Sequence, residues 1–263
     1  MKISGNINLP GDKSISHRAL MFASLTDGEC IIHNISTGED VETTRKCLGQ
    51  CGILSQKLGN KVQITGGAFS TPGLPLDCGN SGTSIRLLTG LLSGKGITAE
   101  FIGDTSLSKR PMNRIIEPLN EMGVEIGSNN GYLPLTIKPN MMKGFSFSPS
   151  VASAQVKSCI MLAGLGGEGE TIINEKIKTR DHSEIILKEL GAPVSSNGAI
   201  RIKNLEQPLQ PFNMTVPGDP SSAAFFAAAA AIIPNSSITI TNVLANPTRV
   251  GFFDILEKMG GGV

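Results

Sequence analysis

Residues 119–126 read LNEMGVEI, an apolar-periodic segment followed by a glycine and an apolar residue, and three other stretches repeat this pattern with an apolar or small residue after the glycine. These are CLGQCGI at 47–53, LKELGAPV at 187–194 and LEKMGGGV at 256–263. The four glycines, Gly52, Gly123, Gly191 and Gly260, are separated by 71, 68 and 69 residues. Each stretch is typical of a helix that ends at a left-handed glycine, with a strand after it where the sequence continues.

A second series interleaves with the first and places small or polar residues just before a markedly apolar, helix-like run. Its members are PGDKSISHRALMFASL (10–25), CGNSGTSIRLLTGLL (78–92), SVASAQVKSCIMLAGL (150–165) and PGDPSSAAFFAAAAAII (217–233). From Asp12 to Asn80, Ser153 and Pro220 the steps are 68, 73 and 67 residues. The two series together predict a repeat unit that holds a small-residue helix start, an apolar helix, a strand, a second helix ending at glycine, and further strands.

Repeats of this length indicate copies of a small α/β unit packed around a shared core, rather than the turns of a solenoid. Strands are predicted at 61–65, 97–102, 133–137, 171–174 and 237–243. Three copies fit between Asp12 and about Val216, and a fourth begins at Val216 and reaches Val263 just after its helix-ending glycine. We therefore expect a chain that is cut inside a repeat unit.

Composition excludes several classes of protein. The 263 residues hold 23 Lys and Arg against 22 Asp and Glu, so the net charge of +1 gives no reason to expect a nucleic-acid or membrane-surface partner. The longest apolar run, 223–233, is shorter than the roughly 20 residues that cross a bilayer. Residues 1–10 do not resemble a secretory signal, and the five cysteines have no zinc-ligand spacing. We expect buried thiols, no metal site and a cytoplasmic location.

Positive side chains recur at or near the predicted helix starts. They are Lys13, Arg18, Arg86, Lys109, Arg110, Lys157 and Arg180. A helix N-terminus binds anions because its N–H groups are free and its dipole end is positive, and Arg and Lys recognise phosphate and carboxylate groups. A solvated surface charge explains any one of these cations, and plain N-capping explains Ser14, Ser153 or Asp219 taken singly. Recurrence at one place in the repeat favours a pocket for a ligand that carries phosphate and carboxylate groups.

The motifs GDKSISHR, GNSGTSIR, KRPMNR, SAQVKS, RDHSE, GDPSSAAFF and NPTR occur in this order along the chain. In their order and separations they resemble the 5-enolpyruvylshikimate-3-phosphate (EPSP) synthase family, the 3-phosphoshikimate 1-carboxyvinyltransferases, over essentially the whole chain. The forms GDKS, SAQVK, RDHSE and NPTR are similar to the class II subgroup, which is associated with glyphosate tolerance. The resemblance implies transfer of the enolpyruvyl group of phosphoenolpyruvate to the 5-hydroxyl of shikimate 3-phosphate, with release of phosphate. It implies addition followed by elimination, with no metal or organic cofactor.

The resemblance also assigns site residues. It places Lys13 against both substrates and Ser14 and Arg18 on the shikimate side. It implies that Ser153, Ala154 and Gln155 bind the shikimate phosphate, with support from Arg180. Phosphoenolpyruvate is expected at Asn80, Gly82 and Arg110, together with Lys13 and Gln155.

The fold that the resemblance implies is an α/β (α+β) enolpyruvyl transferase-like fold, with two domains of three βαβαββ units each. Residues 13–216 would form one complete three-repeat domain, and residues 1–12 and 217–263 part of the second. The family's acid and base groups would lie beyond Val263, so we assign no catalytic residue and expect no turnover from this chain alone. The missing C-terminal half is then a candidate partner, and weak binding of shikimate 3-phosphate is expected to remain.

Two alternatives stay open. The first is the related enolpyruvyl transferase that acts on UDP-N-acetylglucosamine, a family that usually carries a reactive Cys or Asp on the loop before the RP motif. Here residues 103–110 read GDTSLSKR, with no Cys and with Asp104 early in the loop. The second alternative is a non-catalytic binding fragment that associates with a separate second-half chain.

Glyphosate response is left open by two opposing features. The motif set resembles the tolerant subgroup, whereas Gly82 is small, as in forms that admit the inhibitor. An Ala at this position would crowd the longer backbone of glyphosate. Glyphosate is therefore a candidate inhibitor, and we predict neither sensitivity nor tolerance to it.

Overall fold

The computed structural model describes residues 2–262, which form eight α-helices and fourteen strands. The helices are α1 (Lys13–Ala23), α2 (Glu39–Gln50), α3 (Gly82–Gly94), α4 (Asn113–Glu121), α5 (Ala154–Gly164), α6 (His182–Glu189), α7 (Pro220–Ile232) and α8 (Gly251–Lys258). The strands are β1 (Ser4–Asn8), β2 (Glu29–His33), β3 (Leu54–Leu58), β4 (Lys61–Thr65), β5 (Leu76–Asp77), β6 (Ala99–Ile102), β7 (Val124–Asn129), β8 (Tyr132–Pro139), β9 (Ser146–Phe147), β10 (Glu170–Ile173), β11 (Val194–Ser195), β12 (Ile200–Lys203), β13 (Asn213–Thr215) and β14 (Ser237–Thr241). Among these residues no helix combines the length and apolar character needed to cross a bilayer.

Three four-stranded sheets share one topology, which confirms the predicted α/β repeat. Their strand orders are β13-β2-β4-β3, β5-β6-β8-β7 and β9-β10-β12-β11. In each sheet the first two strands are parallel and the last two add on antiparallel. Each unit therefore reads strand, helix, strand, helix, hairpin. In the second and third units the parallel pair is joined through the first helix of the unit, since parallel strands need a crossover connection.

The first unit takes its opening strand from a distant part of the chain. Strand β13 pairs in parallel with β2, with Asn213 opposite Ile31, although the two strands are 182 residues apart. A fourth sheet repeats this arrangement, because β1 pairs in parallel with β14. The chain consequently crosses between the β1-β14 sheet and the three-sheet body twice, once before and once after the three units in the sequence.

The two crossings have the same sequence and lie side by side. Residues 10–12 and 217–219 both read Pro-Gly-Asp. The amide of Asp12 donates to the carbonyl of Pro217 at 2.7 Å, and the amide of Asp219 donates to the carbonyl of Pro10 at 3.1 Å. A side chain at Gly11 would overlap the backbone oxygen of Asn34, so this position needs glycine.

The core lies between the first helices of the three units, α1, α3 and α5. From Ile15 to Ala23 every residue of α1 is buried, and α3 and α5 are buried along most of their length. Helices α3 and α5 approach closely at glycines, because a side chain at Gly90 would overlap the backbone of Cys159. Helix α2 packs on both α1 and α3, α4 packs on α5, and α6 packs on α1. The helices of the three units are therefore in contact with one another.

Helix α7 is the counterpart of the inner helices in the fourth unit, but its surroundings differ. Only Pro220 and Ala223 of this helix are buried. Phe225 is 80% exposed and Ile232 is 78% exposed, whereas every residue of α1 from Ile15 onwards is buried. The described part of the fourth unit therefore carries an exposed apolar helix.

Most local predictions of the repeat hold. The glycines Gly52, Gly123, Gly191 and Gly260 all have positive φ, between 77° and 100°. The five predicted strands correspond to β4, β6, β8, β10 and β14. The residue that caps α3 is Ser81, one position after the register mark Asn80, and its hydroxyl accepts from the amide of Ser84. All five cysteines lie within the described residues and are buried free thiols.

The contact between α3 and α5 predicts opposite effects for two glycine-to-alanine substitutions. Gly90→Ala should lower the free energy of unfolding by about 3 kcal/mol, because the new methyl group overlaps backbone that cannot move aside freely. Gly49→Ala is the control, since this glycine lies in α2 with open space around it and should stabilise by about 0.5 kcal/mol. Urea denaturation measures both. Equal stability of the two variants would contradict this packing.

Candidate functional site

The start of α1 carries three of the predicted site residues in different environments. Lys13 is exposed, and its ammonium pairs with Asp40 at 3.0 Å. The hydroxyl of Ser14 accepts a hydrogen bond from Arg18 at 2.7 Å, so Ser14 does not cap the helix. The cap is Asp12, whose carboxylate accepts from the amide of Ile15 at 2.8 Å. The N-capping explanation is therefore wrong for Ser14, although it holds for Ser153 and Asp219.

Arg18 is a buried cation that joins three helices. Its Nε donates to Ser183 on α6 at 2.8 Å, and one terminal nitrogen donates to Ser158 on α5 at 2.6 Å. The other terminal nitrogen donates to the carbonyl and the hydroxyl of Ser14 on α1. Burial, together with the nearby charge of Arg180, lowers the pKa of Arg18 to about 10. The guanidinium remains charged at neutral pH and ties the first unit to the third.

The start of α5 opens onto a cavity of about 590 Å³. It is lined by Ala152, Ser153, Ala154, Gln155, Lys178, Thr179, Arg180 and Thr248. Four of these residues were predicted to bind shikimate 3-phosphate, and the structure brings them together. The hydroxyl of Ser153 caps α5 by accepting from the amide of Val156 at 3.4 Å. A helix start, two cations and three hydroxyl-bearing residues thus converge on one space, which suits an anion.

The start of α3 gathers a second group of cations. Arg110 donates to the side-chain oxygen of Asn80 at 2.6 Å, which confirms that these two predicted residues lie together. Gly82 lies between two guanidinium groups, because a Cβ at this position would be 2.7 Å from Arg86 and 3.3 Å from Arg110. Burial lowers the pKa of Arg86, and the charge of Arg110 adds to that lowering.

Gln155 connects the two groups. Its side-chain oxygen accepts from Arg86 at 2.9 Å, and its side-chain nitrogen donates to Thr83 at 2.9 Å. The residue was predicted to contact both substrates, and it does lie between the α5 cavity and the α3 cations. Lys13, Ser14 and Arg18 are not among the residues that line the α5 cavity.

Asp104 bears on the alternative enolpyruvyl transferase. One carboxylate oxygen accepts from the amide of Leu107 at 2.7 Å, and the other accepts from Asn80 at 2.7 Å. Both contacts support the turn at Leu107–Lys109 and the orientation of Asn80. With no Cys in residues 103–110 and with Asp104 engaged in local structure, this loop gives the alternative no support.

The structure adds residues that the sequence interpretation missed. Lys178 and Thr179 lie beside Arg180 in the cavity, and Thr248 reaches it from the loop before α8. Arg249 pairs with Asp12 at 2.7 Å and Asp219 at 3.2 Å, which are the capping residues of α1 and α7. The NPTR motif contained Thr248 and Arg249, but the motif alone gave no indication of their partners.

Comparison with known proteins agrees with this geometry. The repeated units and the basic helix starts define a protein of the enolpyruvyl transferase fold. Within that class the chain belongs to the EPSP synthase (3-phosphoshikimate 1-carboxyvinyltransferase) family, whose family model matches residues 1–263.

Relatives and solved structures show the same likeness. The chain is 48% identical to a 3-phosphoshikimate 1-carboxyvinyltransferase of Leuconostoc citreum, over 99% of this chain and 62% of that protein. It is 45% identical to one of Streptococcus uberis over the same shares. An EPSP synthase structure from Acinetobacter baumannii has a TM-score of 0.90 and 40% identity, over 98% of this chain and 60% of that one. The chain therefore spans about three fifths of the length of these proteins.

The buried His17 predicts a loss of stability in acid. Its Nδ1 is 2.8 Å from the hydroxyl of Thr44, and burial, with the charges of Arg18 and Lys13 adding to it and that of Asp40 opposing it, lowers its pKa from 6.5 to about 3. The unfolded chain therefore takes up a proton below about pH 6.5 that the folded chain refuses. From pH 7 to pH 5 this residue alone should remove about 2 kcal/mol of unfolding free energy.

The measurement is urea denaturation at the two pH values for the original chain and for His17→Gln. Glutamine cannot titrate, so the variant should lose about 2 kcal/mol less between pH 7 and pH 5. An identical loss in both proteins would mean that His17 is not held neutral by the fold.

Proposed function

We propose that the protein takes part in the transfer of the enolpyruvyl group from phosphoenolpyruvate to the 5-hydroxyl of shikimate 3-phosphate, a step of aromatic amino acid biosynthesis. The observation that carries the proposal is the α5 cavity, where a capped helix start meets Lys178 and Arg180. The relatives named above are described as 3-phosphoshikimate 1-carboxyvinyltransferases. Both proposed substrates are anions, and both carry phosphate and carboxylate groups.

The phosphate of shikimate 3-phosphate would bind in the α5 cavity. Ser153, the amide of Ala154 and Gln155 supply donors at the helix start, and Arg180 supplies a planar cation from the opposite wall. Burial lowers the pKa of Arg180 and the charge of Arg249 adds to that lowering, while Asp12 and Asp219 oppose it. A dianionic ligand would give this guanidinium a further partner of opposite charge.

The remaining part of shikimate 3-phosphate would extend toward the start of α1. Ser14 and Lys13 are proposed to hold its hydroxyl and carboxylate groups. Arg18 has most of its donors engaged by serine hydroxyls, so its contribution is proposed to come through the orientation of Ser14 and through its charge. This gives Arg18 a more indirect part than the resemblance implied.

Phosphoenolpyruvate would bind at the start of α3, between Asn80, Gly82 and Arg110. The absence of a side chain at Gly82 lets the guanidinium groups of Arg86 and Arg110 approach the helix start. Gln155 would then lie between the two ligands, since it bonds Arg86 and borders the α5 cavity. In this proposal the residues of this chain bind and orient substrates and hold negative charge, and none is assigned the proton-transfer step.

The domain division is also part of the proposal. We propose residues 13–216 as one three-unit domain and residues 1–12 with 217–263 as part of another, because the sheets separate at the two Pro-Gly-Asp crossings. The cytoplasmic location, the class II subgroup and the inhibitor glyphosate remain predictions.

Binding of shikimate 3-phosphate to this chain tests the proposal directly. Arg180→Met should weaken binding at least about tenfold, because it removes a charge-assisted contact to the phosphate. Arg201→Met is the matched control: Arg201 is also an exposed arginine of the third unit, and its partner is Glu170 on β10, at 2.6 Å. Isothermal titration calorimetry at one fixed salt concentration measures both. Failure of the original chain to bind millimolar shikimate 3-phosphate would refute the proposed function.

A second substitution tests the proposed phosphoenolpyruvate side. Gly82→Ala should weaken phosphoenolpyruvate binding about tenfold, because the methyl group pushes Arg86 and Arg110 away from the helix start. Binding of shikimate 3-phosphate should change little. Gly73→Ala is a control, since a Cβ there meets open space. Titration of phosphoenolpyruvate into protein saturated with shikimate 3-phosphate measures the effect, and unchanged affinity in Gly82→Ala would argue against this location.

A further inference from the structure

Lys157 is a buried cation that the proposed function does not use. It lies on α5 one turn after the capping residue Ser153, and its amide donates to the Ser153 carbonyl at 3.1 Å. Its side chain is 1% exposed. A buried ammonium is stable only when it is paired, because removal from water penalises the charge heavily.

Two carboxylates supply that pairing, and they lie on either side of one loop. The ammonium of Lys157 is 3.0 Å from Glu175, just after β10, and 2.6 Å from Glu184, in the first turn of α6. The loop between Glu175 and the start of α6, residues 176–181, contains Lys178, Thr179 and Arg180. Lys157 therefore bonds both ends of the loop that forms one wall of the α5 cavity.

One further hydrogen bond links Glu175 to a residue within the loop. The second carboxylate oxygen of Glu175 accepts from the hydroxyl of Thr179 at 2.5 Å. Thr179 is half-buried, whereas Lys176, Ile177, Lys178 and Arg180 are exposed. Thr179 is thus the one side chain of residues 176–180 that is not exposed, and Glu175 links it to the ammonium of Lys157 on α5. The far end is held separately, because Asn246 donates to Asp181 at 2.7 Å.

We propose that Lys157 and Glu175 are positioning residues that hold the loop carrying Arg180 against the start of α5, and so set the affinity of the α5 cavity for the phosphate of its ligand. The affinity part rests on the proposed function. The loop part does not, because it concerns the protein without ligand. Without these bonds, the largely exposed residues 176–180 would sample many conformations. Each ligand contact from Arg180 would then require ordering of the loop.

Glu175→Met separates this role from simple stability. It removes the bonds to Lys157 and Thr179 but leaves Lys157 paired with Glu184, so no buried charge is left alone. Glu170→Met is the matched control, because it removes an ion pair of the same unit, with Arg201, that does not touch the loop. Glu175→Gln should partly restore the original behaviour, since its amide oxygen can still accept from Thr179. Thermal unfolding establishes that each variant is folded.

The first readout needs no ligand. Lys176, Lys178 and Arg180 are trypsin sites, so the native-state cleavage rate at these residues reports how often the loop opens. Glu175→Met should raise this rate about tenfold, with Glu175→Gln between it and the original and Glu170→Met unchanged. Unchanged cleavage in Glu175→Met overturns the proposal.

The second readout is the affinity for shikimate 3-phosphate, measured by calorimetry on the same variants. Glu175→Met should weaken binding about tenfold and Glu170→Met should not. Faster cleavage with unchanged affinity would overturn the link between loop and ligand. If the original chain itself does not bind, the proposed function fails, and the cleavage rates alone decide whether Lys157 and Glu175 hold the loop.

Discussion

The structure depends on one buried guanidinium, that of Arg18. It is bonded to hydroxyl groups on α1, α5 and α6, so it joins the first repeat unit to the third. A buried cation tolerates little displacement of its partners, because each lost hydrogen bond leaves charge unsolvated. The three-unit body is thereby closed around the inner helices α1, α3 and α5.

The closed body concentrates positive charge, and the charge is only partly compensated. Burial lowers the pKa of Arg18, and the charges of Arg180 and Arg249 add to that lowering. Burial likewise lowers the pKa of Arg86, with the charge of Arg110 adding to it. Asp12 and Asp219 compensate Arg249 while they cap α1 and α7. Arg180 and Lys178 remain exposed around the α5 cavity. An anionic ligand is the natural counterpart of this arrangement, which agrees with the anionic substrates proposed for the protein.

Local features of the fold were predictable from sequence, whereas distant pairings were not. The helix-ending glycines and the helix starts carry local signals, a positive φ and a small capping residue, and both recur at a regular interval. The pairing of β13 with β2 joins residues 182 positions apart, and a strand of three residues carries no sequence signal that identifies its partner. The same holds for the site: Ser153 and Arg180 follow from motifs, but Thr248 reaches the cavity only through the second chain crossing. Lys157 is a cation near a helix start, a position that suggests ligand binding. Its side chain is instead buried and paired with Glu175, which favours a structural role.

In the proposed function, repeat symmetry gathers helix starts into a binding site for shikimate 3-phosphate. A crystal structure of this chain grown with saturating shikimate 3-phosphate tests that arrangement. We expect the phosphate group in the cavity lined by Ser153, Ala154, Gln155 and Arg180, within hydrogen-bond distance of the start of α5. A phosphate group ordered at another surface, with this cavity holding only water, would contradict it.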